Sequence, residues 1–171
     1  RISLNLKFFR IQSMIFRNIK EKNTSIVAGK RTVYLQHGLI DSSDTFILKT
    51  KERVAFVLAN RGYDVWLGNI RGNRYSNAAL SPNVRDYWDF SFDELARYDL
   101  TASFKYIANK TGQKIHYVGH SQGTLIMFIA LAANYTNIRQ NLATFTALGP
   151  IVYINDMDSP LLNRLMNTKT F

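Results

Sequence analysis

The 171-residue chain contains no cysteine, which removes disulfides, thiolate nucleophiles and cysteine-based zinc sites from consideration. Nor has it an apolar run near the ~18 residues that would suggest a membrane span. The longest, around Leu125 to Ala133, has the length of a buried helix, so no transmembrane segment is expected. No internal repeat is present, and no stretch rich in Pro, Gly or Ser marks a linker. Apolar residues make up 46% and charged residues 20%, the balance of one globular domain with a real core rather than of a disordered chain. The chain opens on Arg1, and nothing near it combines a charged region, an apolar core and a cleavage site. The expectation is that a leader has been removed or that these residues are a fragment.

Acidic side chains are also scarce: 12 Asp and Glu stand against 22 Lys and Arg, for a net charge of +10. The excess is concentrated at the start. In residues 1–31, Arg1, Lys7, Arg10, Arg17, Lys20, Lys22, Lys30 and Arg31 face Glu21 alone. Such a segment can draw a protein to anionic membranes or nucleic acid. It lacks the interleaved stacking aromatics that single-strand binders use, so it reads as a solvated strand and loop, with no nucleic-acid partner. Asn23-Thr-Ser, Asn109-Lys-Thr and Asn134-Tyr-Thr fit the N-glycosylation sequon. Composition alone would supply about two such matches.

From Thr32 onward, short β-prone runs alternate with helical ones. "TVYLQ" (32–36) reads as a buried strand, "KERVAFVLANRG" as a helix stopped by Gly62, and "DVWLGN" (64–69) as the next strand. A polar loop follows. "SFDELARYDLTASFKYIANKTG" opens with a capping box, Ser91 and Glu94, and places Leu95, Leu100, Phe104 and Ile107 on a helix ending at Gly112. "KIHYVGH" is a strand, about Gln122 to Ala133 a helix, and "LATFTALGPIVYI" is β-prone again. This order predicts an α/β fold with a mostly parallel sheet and helices on both faces. "ISLNLKFFRI" alternates and is expected to add an antiparallel strand at one side.

Where the third core strand meets the following helix stands Gly119-His-Ser121-Gln-Gly123. A Gly-x-Ser-x-Gly arises by accident in roughly one chain in twenty of this length, but its placement between strand and helix is that of a nucleophile elbow. Gly119 and Gly123 suit a turn too tight for a Cβ. Ser121 would sit at the positive end of the helix, where developing negative charge is favoured. The Gln122 N–H is one candidate oxyanion donor. "LQHGLI" (35–40) supplies a second, the Leu39 N–H, on a loop whose bend His37 and Gly38 support.

"YLQHGLIDSSDTF", "LANRGYDVWLGNIRGNRYS", "YWDFSFDELARYDLTASFKYI" and "HYVGHSQGT", in this order and at these intervals, closely resemble the acid lipases of the gastric and lysosomal type. The resemblance covers about Leu35 to Pro150, with a weaker match from Leu4 to Ile11. It implies the α/β-hydrolase fold and hydrolysis of triacylglycerols or sterol esters at a lipid–water interface. Ser121 would be the nucleophile, and the Leu39 and Gln122 N–H groups the oxyanion hole. It implies no cofactor and no metal, and a secreted or lysosomal location. On this view residues 1–31 are a basic N-terminal segment, 32–155 the parallel core, and 156–171 the start of a cap. The segment 14–30 has no functional account.

Other residues read more plainly. Trp66 and Leu67 are expected in the core, Asp93 and Glu94 as helix N-terminal acids, His116 as a satisfied core histidine, and His120 packed under the elbow. One component is missing. In this fold the triad acid and then the histidine follow the serine, yet no histidine follows Ser121, since His37, His116 and His120 all precede it. Asp156 and Asp158 are not assigned as the acid, which in acid lipases lies much farther along. The chain therefore reads as the N-terminal half of a serine ester hydrolase, inactive alone, with an open sheet edge and an uncovered apolar face. The alternative is a non-catalytic lipid-binding or interaction remnant of the same fold.

Overall fold

The structure, a computed structural model, describes residues 9–10, 29–48, 52–76 and 88–153. Most of the basic N-terminal segment, the Asn23 sequon, Asp156, Asp158 and the expected start of a cap lie outside the described residues.

Five strands form one sheet in the order β1-β3-β2-β4-β5. They are β1 (Phe9–Arg10), β2 (Thr32–Gln36), β3 (Asp64–Leu67), β4 (Ile115–His120) and β5 (Leu142–Leu148). β1 is antiparallel to β3, as the alternation of the first residues predicts, and the other pairs are parallel. Between β2 and β3 lie a 3₁₀ turn (Ser43–Phe46) and helix α1 (Val54–Asn60). Between β3 and β4 lies a long helical stretch: α2 (Phe92–Glu94), a π-helical segment (Leu95–Leu100) and α3 (Thr101–Thr111). Helices α4 (Gln122–Ala132) and α5 (Thr136–Asn141) join β4 to β5.

Strand periodicity assigns the two faces. Val33, Leu35, Val65 and Leu67 point to one side and pack with Phe46 and Ala55. Tyr34, Trp66, Ile115 and Tyr117 point to the other and pack with Leu95, Leu100, Phe104, Ile107, Ile126 and Ile138. Trp66 and Leu67 are core residues, as expected. Because the chain adds β3 on one side of β2 and then β4 on the other, the strand order reverses between β2 and β4. In open parallel sheets the crevice beyond the carboxyl ends of such a pair is where ligands bind. The loop leaving β2 begins at His37, and the turn leaving β4 is Ser121.

Three expectations need correction. The helix over 91–112 is not uniformly α: its capping box forms, with Ser91 N–H donating to Glu94 Oε2 at 2.7 Å, and Gly112 ends it at φ 65°. But Leu95–Leu100 winds as a π segment. The buried positions Leu95 and Leu100 are five apart, a gap that a π turn closes and an α turn does not. Helix α5 was not anticipated; Ile138, fully buried, anchors it. The uncovered face near β5 is not simply apolar. His116 is half-buried there rather than in the core, its Nδ1 is 2.9 Å from Thr144 Oγ1 across the β4–β5 pair, and Thr146 is exposed nearby.

The π segment turns Asp99 inward. Its carboxylate, fully buried, accepts from the Arg71 backbone N–H at 2.9 Å and from Nε at 2.7 Å, with Nη2 2.6 Å away. Burial pushes the carboxyl up, against the pull of the guanidinium. This pair ties the loop after β3 to the long helix. Arg71→Ala leaves a buried charge without its partner and should lower stability by about 3–5 kcal/mol. Replacing both residues with apolar ones of similar volume should restore most of the loss. Chemical denaturation of both variants measures this, and an unchanged midpoint in Arg71→Ala would refute the account.

Candidate active site

Ser121 has φ 51° and ψ −114°, and besides Ile40 and Asn134 it is the only non-glycine described residue with positive φ. Such a conformation costs of order 1–3 kcal/mol and persists only where its surroundings over-determine it. Here they do. The Ser121 N–H donates to Leu148 O at 2.9 Å, fastening the turn to the end of β5. Its carbonyl accepts from Thr124 N–H at 2.8 Å and from Thr124 Oγ1 at 2.6 Å. Thr124 Oγ1 in turn accepts from Ile151 N–H at 2.9 Å.

Both motif glycines are sterically compelled. A Cβ on Gly119 would lie 2.6 Å from Gly123 O, and a Cβ on Gly123 would lie 2.6 Å from Gln36 O and 3.0 Å from His37 O. Backbone on backbone leaves nothing to move aside. Tyr117, fully buried, donates from its hydroxyl to Gly123 O at 2.7 Å and closes the turn from beneath. Ser121 emerges half-buried, its hydroxyl making no hydrogen bond among the described residues. Gln122 opens α4, so its N–H has no intrahelical acceptor.

The loop after β2 lies against the elbow. A Cβ on Gly38 would stand 3.2 Å from Ser121 Cβ and 3.3 Å from His120 Nδ1, a tight fit that places this bend directly against the elbow. His37 is 2% exposed, with Nδ1 2.8 Å from Gly38 O and Nε2 3.0 Å from Asn73 Nδ2. Asn73 Oδ1 accepts from the Tyr75 and Ser76 N–H groups, which turns its amide nitrogen toward the ring. Since that nitrogen only donates, Nε2 is the acceptor and Nδ1 carries the proton given to Gly38 O. Burial lowers the pKa of His37 and keeps the ring neutral. Asn73 also donates to Asn69 Oδ1 at 2.8 Å, and Asn69 is bound twice to Ser43. This amide chain holds the His37–Gly38 bend to the loop after β3.

No local pattern marks Asn69, Asn73, Ser43 or Thr124 as site residues, although Asn69 and Asn73 belong to the family-like stretch "LGNIRGNRYS". Ser121, Gln122, Gly38, Gly119 and Gly123 lie together at this crevice, and Leu39 follows Gly38, 45% exposed. His120 is not packed under the elbow: it is exposed at the end of β4, beside Gly38. Among the described residues no histidine is hydrogen-bonded to Ser121. His37 has both ring nitrogens engaged, and His116 lies on another face. No group of three or more His, Asp or Glu there has metal-ligating geometry. No helix among them is long and apolar enough to cross a membrane.

An elbow of this build, on a parallel sheet at its switch point, defines a class, and residues 31–169 match the alpha/beta hydrolase fold family, to which the chain belongs. Within it the chain is 51% identical over 152 residues to gastric triacylglycerol lipase of Rattus norvegicus, covering 86% of this chain and 38% of that protein. It is 49% identical over 138 residues to human lipase member K, covering 78% and 34%. To human lysosomal acid lipase/cholesteryl ester hydrolase it is 44% identical over 144 residues, covering 82% and 36%. The chain thus spans little more than a third of the length of these relatives. Among solved structures, a mature Bacillus licheniformis lipase superposes with TM-score 0.54 at 19% identity, over 84% of this chain and 46% of that one, which speaks to the fold alone.

Two predictions follow from the packing. Gly123→Ala forces a methyl against two carbonyls and should cost about 1–3 kcal/mol or more; a thermal midpoint equal to that of the parent would contradict it. Because the folded pKa of His37 lies below its unfolded value near 6.5, its contribution is complete above that pH. It declines as pH falls from there toward the folded value, then changes no further. Stability measured between about pH 5 and 7.5 should show this slope, and His37→Asn should flatten it.

Proposed function

We propose that this chain is the N-terminal part of a carboxylic ester hydrolase, a lipase acting on triacylglycerols or sterol esters. Ser121 is its nucleophile, and the Leu39 and Gln122 N–H groups form its oxyanion hole. The observation that carries this reading is the Ser121 conformation: a positive-φ serine between strand and helix, held by two glycines that admit no Cβ. The strain has a use if its effect is to present the hydroxyl at the head of α4. There Oγ attacks the ester carbonyl, and the oxygen that gains charge meets main-chain donors and the positive end of an 11-residue helix.

Lipid as substrate is supported by the rim of this crevice. Leu39, Ile40, Leu148, Val152 and Tyr153 are 45%, 78%, 43%, 51% and 87% exposed. Leu39 and Ile40 follow β2, and Leu148 ends β5 with its carbonyl on the Ser121 N–H. Val152 and Tyr153 come just after Ile151, which is bonded to Thr124. Apolar side chains grouped around a nucleophile suit an acyl chain or a lipid surface. Residues 32–153 of the core supply this rim. The Ser121 proton passes to an imidazole that, like the triad acid orienting it, is supplied by residues beyond these 171. The relatives' names fit a secreted or lysosomal location.

The test is labelling with a fluorophosphonate in the longest form the reading frame encodes. Ser121 should be the modified residue, and Ser121→Ala should lower kcat by about a million-fold. The 171-residue piece should barely label. An unlabelled full-length product that binds lipid without turnover would favour the non-catalytic remnant instead.

A further inference from the structure

We infer that Asn73 and His37 position the oxyanion hole: Asn73 holds the proton of His37 on Nδ1, and that proton, given to Gly38 O, orients the peptide that carries the Leu39 N–H. This rests on the oxyanion role proposed above for Leu39. Gly38 O and the Leu39 N–H belong to one peptide unit. None of the described peptide bonds is cis, so the carbonyl and the N–H of that unit point in opposite directions. The bond from His37 Nδ1 to Gly38 O, at 2.8 Å, therefore fixes the direction of the Leu39 N–H as well. From its own side that N–H is unrestrained, having no acceptor among the described residues. Gly38, with no Cβ, restricts the rotation of the following peptide least of any residue. The restraint has to come from a side chain.

The ring can supply it in one tautomer only. With the proton on Nε2, Nδ1 would set a lone pair against the Gly38 oxygen and push the peptide round. Asn73 excludes that form. Its amide gives both hydrogens, to His37 Nε2 at 3.0 Å and to Asn69 Oδ1 at 2.8 Å, and its oxygen accepts from the Tyr75 and Ser76 N–H groups at 2.9 and 3.0 Å. An amide with every hydrogen and lone pair in use cannot be reversed without losing all of these bonds. The loop that carries it is anchored on both sides of Asn73: the Arg71 N–H donates to Asp99 Oδ1 at 2.9 Å, and the Tyr75 hydroxyl to Asp44 Oδ1 at 2.8 Å. Ile40, next after Leu39, has φ 54°, which a β-branched residue seldom adopts, and such strain persists only in a backbone held by its surroundings.

The same bond has an electronic effect. A carbonyl that accepts a hydrogen bond polarises its peptide, so the Leu39 N–H becomes a stronger donor to an ester oxygen gaining charge. Asn73 and His37 act through Leu39, and the oxyanion forms only after the ester is bound. Their loss should therefore fall on kcat and leave KM nearly unchanged.

Substitutions separate the two ring nitrogens, in the longest form the reading frame encodes. His37→Asn keeps an amide N–H near the place of Nδ1; His37→Gln reaches the place of Nε2 and leaves Gly38 O without its donor. Loss of a whole oxyanion donor costs about a hundred- to a thousand-fold in kcat. On a soluble ester His37→Gln should lose part of that, about ten- to a hundred-fold, and His37→Asn should recover most of the loss. A ring that only fills space would make the smaller Asn no better than Gln. Nitrogen NMR of the parent with labelled histidine should show the His37 proton on Nδ1 and a bare Nε2 at neutral pH. Asn73→Ala should admit the Nε2–H form and lower kcat in the same sense. A parent with its proton on Nε2 overturns the inference, as does an Asn73→Ala variant with the kcat and spectrum of the parent. The spectrum needs no turnover. A Ser121 that fails to label removes the lipase reading and this one with it, whereas a labelled Ser121 with parental kcat in His37→Gln removes this one alone.

Discussion

Everything in this crevice depends on how closely two backbones approach at the elbow. Gly119 lies against the carbonyl of Gly123, and Gly123 against the carbonyls of Gln36 and His37, at separations no side chain could share. Those contacts fix the angle at which α4 leaves β4, and the angle leaves Ser121 no ordinary backbone conformation. The strained serine is therefore a consequence of the packing around it. Its cost, of order 1–3 kcal/mol, is offset by the bonds from Ser121 to Leu148 and from Thr124 back to Ser121, and by the burial of Tyr117 beneath.

The loop after β2 is held by different physics. No regular ladder reaches it, so its polar groups must be satisfied one at a time. His37, Asn73, Asn69 and Ser43 do so as a relay of amides around one neutral ring. A charged imidazole would have to donate at Nε2 as well, toward an amide nitrogen that has nothing to accept with. Burial and hydrogen bonding thus agree on one protonation state and one tautomer. That agreement makes the bend at Gly38 rigid, and a rigid bend is what a preorganised oxyanion donor requires.

How far the sequence could be read follows the range of the interactions. Strands such as Thr32–Gln36, the Ser91–Glu94 box and the glycines of the elbow are legible because their causes lie within a few residues. The Arg71–Asp99 pair is 28 residues apart, and the Asn73–His37 bond 36, so neither leaves a local pattern. The π segment did leave one, in the five-residue gap from Leu95 to Leu100, but a period of 3.6 smooths over it. His116 misled for another reason. Alternation does send it to a sheet face, yet burial there depends on what lies above β4, and the residue is left half-buried with its ring bonded to Thr144, its neighbour on β5.

The same distinction separates the two halves of the proposed chemistry. Oxyanion stabilisation needs only β2, β4 and the turns that leave them, adjacent strands whose meeting is dictated by the reversal of strand order between them. Its proposed donors, the Leu39 and Gln122 N–H groups, both belong to these turns. Proton transfer needs an imidazole approaching the hydroxyl from a further loop, and all three histidines of this chain stand elsewhere or are already bonded. An elbow can thus be built before its base arrives: the steric contacts that strain Ser121 involve none of the groups that would activate it. Strain and activation are separable properties of one residue, set by different parts of a polypeptide.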